Sequence, residues 1–209
     1  AKGMKAGAII AEISSVKDKT FLALKHVRND LQPLCIHPMF GPGANNKKNV
    51  KMLLIPVRNE VAERKIVSDL FENAEVKVIP NSRSHDRLNA IILGLTYFTN
   101  IAFAKVMANN DLALLKQVSG TTFSLQSILA ESVLTDEPAL ILALIKENPF
   151  ARKYIREYVK AALAVEKLAA AKSSESLETD LRKTKSKLQK RQDLQQSYHL
   201  LYGIMESLK

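Results

Sequence analysis

Gly7-Ala8-Ile9-Ile10-Ala11-Glu12-Ile13 runs into Ser14-Ser15-Val16-Lys17, and Leu34-Cys35-Ile36 runs into His37-Pro38-Met39-Phe40-Gly41-Pro42-Gly43. These two stretches decide the fold. Each is a short apolar run rich in β-branched residues and bounded by turn formers, which is how an interior strand reads. In an open parallel sheet, ligands sit beyond the carboxyl ends of the strands. Ser15 and His37 are therefore expected to project into one crevice, with His37 delivered onto a glycine loop as a candidate general base.

Working outward, strands and amphipathic helices alternate up to residue 80. A helix is expected from Lys19 to Leu31, a strand over Lys51–Val57, a helix from Glu60 to Phe71 and a strand over Glu75–Ile79. This is α/β alternation. Beyond Pro80 the strand signals stop, and apolar residues recur at three and four: Leu88, Ile91, Ile92, Leu95, Phe98, Ala102 and Val106. The pattern predicts a helix over Ser82–Asn109, about 40 Å long at 1.5 Å per residue, with those residues on one face and length enough to carry a domain interface. Ser119-Gly120-Thr121-Thr122, Asp136-Glu137-Pro138 and Asn148-Pro149 open later helices, since proline in a first turn gives up only an orphan amide. Ile155 to Ala169 and Leu194 to Leu208 carry apolar stripes that predict an antiparallel helical hairpin joined through Ser173-Ser174. Two domains follow: residues 1–80, an α/β unit, and residues 81–209, an all-helical unit whose apolar helices suit pairing of two chains.

The formal net charge is +10 over 209 residues, and 13 Lys/Arg against 7 Asp/Glu fall in residues 151–209. Charges of both signs alternate there, as on a solvated helix face. With no aromatic stacking platform or nucleic-acid motif beside them, they weigh against a nucleic-acid partner. No apolar run approaches the roughly 20 residues of a membrane span, so no membrane role is expected. The single cysteine, Cys35, suits a reducing compartment, which reads as cytoplasmic. The Gly-x-Gly-x-x-Gly turn that carries a dinucleotide pyrophosphate on a helix N-terminus is not in the sequence, which starts without Met almost at a strand. The chain reads as cut into the middle of a Rossmann-like domain. His85-Asp86 reads as capping or junction hydrogen bonding, because neighbouring helical side chains diverge by about 100° and cannot chelate one ion together. No metal site is expected, and a serine hydrolase built on Ser15 and His37 lacks its Gly-x-Ser-x-Gly elbow.

Three ordered motifs carry a resemblance: Gly-Ala-Ile-Ile-x-x-x-Ser-Ser-Val-Lys at 7–17, His-Pro-Met-Phe-Gly-Pro at 37–42 and Ser-His-Asp-Arg-Leu-Asn-Ala-Ile-Ile-Leu-Gly-Leu at 84–95. Together with Ser119-Gly120-Thr121-Thr122 and Asn148-Pro149-Phe150, they resemble the prephenate and arogenate dehydrogenases, in a form similar to archaeal members. The resemblance implies the C-terminal part of a Rossmann-like NAD(P)-binding domain followed by an all-helical substrate-binding and dimerisation domain. It also implies oxidative decarboxylation of prephenate or arogenate, with hydride passing to NAD or NADP, in tyrosine biosynthesis.

Residue by residue, His37 matches the family's catalytic histidine and Ser15 the serine that hydrogen-bonds and orients it. Tyr97, Gly120, Thr121 and Gln126 fall at substrate-binding positions, and Ser14, Ser15 and Pro38 at cofactor-binding ones. With the glycine fingerprint missing, no cofactor is expected on this chain alone. The sequence also departs from the family. Pro42 replaces a frequent threonine, Tyr97 a second histidine, and Phe123–Leu134 contains no arginine or lysine for a substrate carboxylate. Arg83, Arg87, Lys105, Lys116 and Arg152 are the unranked cations left to hold it. The rival reading from another class is a noncatalytic helical dimerisation module. On the residues alone, a lone strand-end histidine is more often a satisfied structural group than a base.

Overall fold

The structure is a computed structural model that describes residues 2–41, 44 and 50–207. Pro42, Gly43 and Leu208, singled out above, lie outside the described residues. Four strands form one sheet in the order β1 (Ile9–Glu12), β2 (Gln32–Pro38), β3 (Lys51–Leu54), β4 (Glu75–Val78). β1 and β2 are parallel, with Glu12 opposite Cys35, and β3 and β4 are parallel. The expected all-parallel sheet is corrected between them: β2 and β3 run antiparallel, His37 facing Leu53. The link between these strands, rich in Gly, Pro, Asn and Lys, has no helical periodicity, and a parallel return needs a crossover that is usually a helix. Parallel β1 and β2 still leave Ser15 and His37 on the same edge of the sheet.

Strand alternation sorts the core into two layers. Leu34, Ile36, Met52 and Leu54 pack with Val67 of α2 (Glu60–Leu70) on one face. Cys35 and Ile55 pack with Phe21 and Leu24 of α1 (Asp18–Lys25) on the other. His37 has the parity of Cys35 and so belongs to the α1 face. Asn59 caps α2, accepting from the Ala62 amide, while buried Glu63 accepts three more amides, from Val57, Arg58 and Asn59. These bonds satisfy donors that a helix start leaves orphaned.

The long helix expected after Pro80 exists as Ser82–Met107. It comprises α3 (Ser82–Asn89), a π-helical turn (Ala90–Leu95) and α4 (Thr96–Met107). Its apolar stripe and its buried face differ. Leu88, Ile91, Ile92 and Val106 are exposed, whereas His85, Asp86, Asn89, Ala90 and Asn100 are buried. The helix is long and apolar enough to cross a membrane by length and composition, which corrects the estimate that no run comes near that length. Most of its buried polar groups are bonded to protein partners, as described below.

The remaining helices are α5 (Leu112–Val118), α6 (Thr121–Val133), α7 (Pro138–Leu142, continuing as a π turn over Ala143–Glu147), α8 (Ala151–Ala169), α9 (Glu175–Gln189) and α10 (Leu194–Ser207). The last third is thus three helices rather than a two-helix hairpin, and α10 packs on α6. Two compact units result. One holds residues 1–95 and 138–152, the other residues 96–137 and 153–209. The expected boundary at residue 80 falls a turn before α3, because the polar start of that helix docks on the sheet. Within the first unit the two π turns meet: a Cβ on Gly94 would lie 3.0 Å from the Leu144 carbonyl. In the second unit Ala104, Met107 and Ala130 form a small core with Phe103, Leu112 and Phe123.

Candidate active site

The first unit gathers a cluster of buried polar side chains where β1 and β2 end. His37, on the last turn of β2, is 5% exposed. Its Nδ1 lies 3.0 Å from Nε2 of His85, and the two rings meet edge to face. His85 Nδ1 in turn lies 2.8 Å from Oδ1 of Asp86. Asp86 also accepts the backbone amides of Lys17 (2.8 Å, Oδ1) and Asp18 (3.0 Å, Oδ2). α1 has no side-chain cap of its own, so Asp86 provides one across 68 residues of sequence. The capping role read for His85-Asp86 is thus played toward α1, while α3 is capped by Asn81 through the Ser84 amide.

Lys17 is fully buried. Its Nζ donates to Glu12 Oε2 (2.8 Å) and to the Ile36 carbonyl (2.7 Å), the residue before His37. Burial alone would raise Glu12, but hydrogen bonds from Lys17 and Ser14 outweigh it and hold the carboxyl below its ordinary value. Burial drives the Cys35 thiol upward, so it stays protonated and packs beside Glu12. His37 is pushed down to about 3, first by burial and then by its neighbours His85 and Lys17. It is a neutral imidazole at physiological pH.

The expected partnership of Ser15 with His37 takes a different form. The hydrogen bond of His37 goes to His85, and the Ser15 hydroxyl makes none among the described residues. The Ser15 carbonyl accepts from Asn89 Nδ2, and Asn89 Oδ1 is a buried acceptor without a partner among the described residues. Ser14 spends its hydroxyl on the turn, bonding the Val16 carbonyl and Thr20. Pro38 pairs with Met52 in the sheet. A pocket of about 610 Å³ opens here, lined by Ser14, Ser15, Asp18, Thr20, Ala143 and Glu147 among others. His37 is not in its wall.

Tyr97, Gly120, Thr121 and Gln126 belong to the second unit. The Tyr97 hydroxyl donates to Asp136, and burial with that bond raises it. Gln126 donates to buried Asn100, Gly120 caps α6 and Thr121 begins it. Of the candidate cations, Arg83 stacks over Phe150 and Lys116 pairs with Glu131. Sequence reasoning missed Asn89 and set His85 aside. The available signal was Ser82–Asn89 itself, a polar turn opening an apolar helix, with His85 and Asn89 four apart and so on one face.

Compared with known proteins, the chain is 24% identical over 179 residues to the probable arogenate/prephenate dehydrogenase of Methanocaldococcus jannaschii, covering 82% of this chain. It spans 40% of the length of that curated relative. Among solved structures, the arogenate dehydrogenase of Synechocystis superposes with a TM-score of 0.64 at 18% identity, over 88% of this chain and 69% of that one. The prephenate dehydrogenase of Aquifex aeolicus, solved with hydroxyphenyl propionate and NAD+, gives 0.64 at 17%, over 88% and 68%. The chain has the prephenate and arogenate dehydrogenase fold. No protein-family model matches it. Within this fold the three motifs read from the sequence now have places: Ser14–Lys17 turns from β1 into α1, His37 ends β2, and His85-Asp86 ties both to α3. Asn148 of the Asn-Pro-Phe motif donates to the Asp86 carbonyl (2.9 Å) and fixes α3 from the other side.

Proposed function

We propose that, within a longer protein, this chain is part of an NAD(P)-dependent dehydrogenase that oxidatively decarboxylates prephenate or arogenate, with His37 as proton acceptor. The observation that carries this reading is a neutral, buried imidazole at the end of β2, on a fold shared with dehydrogenases of those substrates. A helical dimerisation module has no use for His37, His85, Asp86 and Lys17 gathered in its interior, where each polar group costs stability unless bonded.

The residues present fit half of a dinucleotide site. The turn Ser14–Val16 lines the pocket, and Asn89, bonded to the Ser15 carbonyl, has its Oδ1 unpartnered among the described residues. The glycine turn for the pyrophosphate would come from a part of the protein outside this chain, on strands added at the β1 edge. When bound, the nicotinamide supplies the hydride acceptor. His37 takes the proton of the ring hydroxyl as the carbon bearing it is oxidised. Loss of carbon dioxide then makes the ring aromatic and leaves a phenolate that is reprotonated. A bound dicarboxylate lifts His37 from its low value, since nearby negative charge favours imidazolium.

Leu88, Ile92 and Val106 along Ser82–Met107, with Tyr158 and Leu163 on α8, leave apolar surface exposed, which supports a homodimer; a cytoplasmic setting accords with the proposed biosynthetic reaction. In the longer protein, His37→Asn should lower kcat by about 10²- to 10⁴-fold and leave KM nearly unchanged. Unaltered turnover at saturating substrate rejects the assignment.

A further inference from the structure

We propose that His85 and Asp86 are positioning residues that hold His37 as its Nδ1–H tautomer, so that Nε2 is the proton-accepting nitrogen. The inference rests on the reading of His37 as proton acceptor and adds which atom of it reacts and what enforces that choice.

The direction of each hydrogen bond follows from donor chemistry. A carboxylate only accepts, and Asp86 already receives two backbone amides, Lys17 at Oδ1 and Asp18 at Oδ2. At 2.8 Å from Asp86 Oδ1, His85 Nδ1 must therefore be the donor. With His85 as a neutral imidazole, whose proton is then on Nδ1, Nε2 carries a lone pair; an imidazolium at His85 would instead donate from Nε2 and leave the His37 proton on Nε2. The lone pair of neutral His85 faces His37 Nδ1 at 3.0 Å, so His37 Nδ1 carries a proton and donates it. His37 Nε2 is left with the only free ring-nitrogen lone pair of the two imidazoles. A free histidine side chain favours the opposite tautomer, with its proton on Nε2, so the protein reverses an intrinsic preference.

Asp86 acts at one remove. Its geometry is itself fixed from three sides, by the two α1 amides and by Asn148 Nδ2 on its own carbonyl. When His37 accepts the substrate proton at Nε2, the Nδ1–H bond to His85 stays in place and no proton moves along the chain. The Asp86 charge then stabilises the imidazolium through His85, as the carboxylate of a hydrolase triad does for its histidine.

Two-bond ¹H–¹⁵N correlation spectra of the histidine rings in this 209-residue chain read the tautomers directly, without substrate or cofactor. At neutral pH, His37 and His85 should both show the Nδ1–H pattern. In His85→Leu no acceptor remains and His37 should shift toward Nε2–H. In His85→Gln the side-chain oxygen accepts from His37 Nδ1 and the original pattern should persist. Asp86→Ala should leave the His85–His37 bond free to run either way, giving mixed tautomers at both rings. If loss of the α1 cap unfolds Asp86→Ala, the His85 pair carries the test alone. A wild-type His37 protonated on Nε2, or one that His85→Leu leaves unchanged, overturns the proposal. Kinetics of the longer protein separate the two readings. If tautomers shift as stated and His85→Leu loses about 10²-fold in kcat, with His85→Gln recovering most of it, both stand. If tautomers shift while turnover does not, His37 is not the acceptor.

Discussion

Replacing Lys17 by Met tests whether the polar interior of the first unit is held by its ion pair. Lys17 is fully buried, and its ammonium has two partners: Glu12 Oε2 at 2.8 Å and the Ile36 carbonyl at 2.7 Å. Methionine fills similar volume and carries neither bond. Glu12 keeps the Ser14 amide but loses the charge opposite it. Breaking a buried pair from one side typically costs about 3–5 kcal/mol, because the remaining charge is stranded. The Glu12 side chain is 12% exposed, so water relieves part of this and the lower end, about 3 kcal/mol, is expected. That is a large share of a domain stability of about 5–15 kcal/mol. Because the chain has two compact units, a global melt mixes them, and hydrogen exchange of the β2 amides reports the first unit by itself. Lys17→Met should speed exchange of the slowest β2 amides by about 10²-fold, which is what ~3 kcal/mol gives at ~1.4 kcal/mol per decade. Lys17→Met with Glu12→Leu should recover part of the loss, since a matched apolar pair needs no charge compensation. A single mutant within about 0.5 kcal/mol of the parent, or a double mutant whose loss is the sum of the singles, refutes the argument.

His37 lies at about 3 in the folded chain against about 6.5 unfolded. Below pH 6.5 the unfolded state therefore binds the extra proton, and stability falls with acidification by up to about 1.4 kcal/mol per pH unit until pH 3. His37→Gln should flatten the pH dependence between 3 and 6.5, a difference of about 2 kcal/mol at pH 5; parallel curves for the two proteins would show that His37 titrates normally. Gly94→Ala puts a methyl 3.0 Å from the Leu144 carbonyl, where the neighbour is backbone and yields poorly, and should cost about 1–3 kcal/mol in thermal or urea melts. A neutral result would mean the two π turns slide freely. Titration of the 209-residue chain with NAD+ or NADP+ should show no binding at micromolar concentration, because the phosphate cradle of this fold depends on a glycine turn the sequence does not contain; micromolar affinity for either would show a cradle elsewhere.

Much of the first unit was legible in the sequence because its strands announce themselves twice, by β-branched apolar runs and by the turn residues around them. β1 to β4 and α2 fall within two or three residues of the readings from Gly7, Leu34, Lys51, Glu60 and Glu75. The direction of β3 was not legible, since periodicity is blind to polarity and only the connection decides it. The buried face of Ser82–Met107 was not legible for a related reason. Apolar periodicity marks the stripe of Leu88, Ile92 and Val106, but burial of His85, Asp86 and Asn89 is set by partners up to 74 residues away, such as the Ser15 carbonyl and the α1 amides. A local window cannot hold those partners. Likewise, Ser15 and His37 were singled out by motif, whereas His85, the residue that bonds His37, was read with Asp86 as capping or junction hydrogen bonding because adjacent helical side chains diverge.

That pair is where fold and chemistry meet. A buried carboxylate needs several donors to be tolerated, and Asp86 finds them at the start of α1, two residues after Ser15. The same carboxylate orients His85, and His85 orients His37 on the neighbouring strand. The β1–α1 turn that presents Ser14 and Ser15 to the pocket is thus tied through one side chain to the imidazole ending β2. Moving α1 by an ångström loosens the Asp86 bonds and with them the orientation of His37. Exchanging Lys17 together with Glu12 for apolar residues of equal volume is often neutral or stabilising, whereas Asp86 also caps α1 and has a structural use of its own. The joint burial of Lys17, His85 and Asp86, with nearly every donor matched to an acceptor, fixes the position of His37 whatever its chemistry, and the His85 variants separate the two.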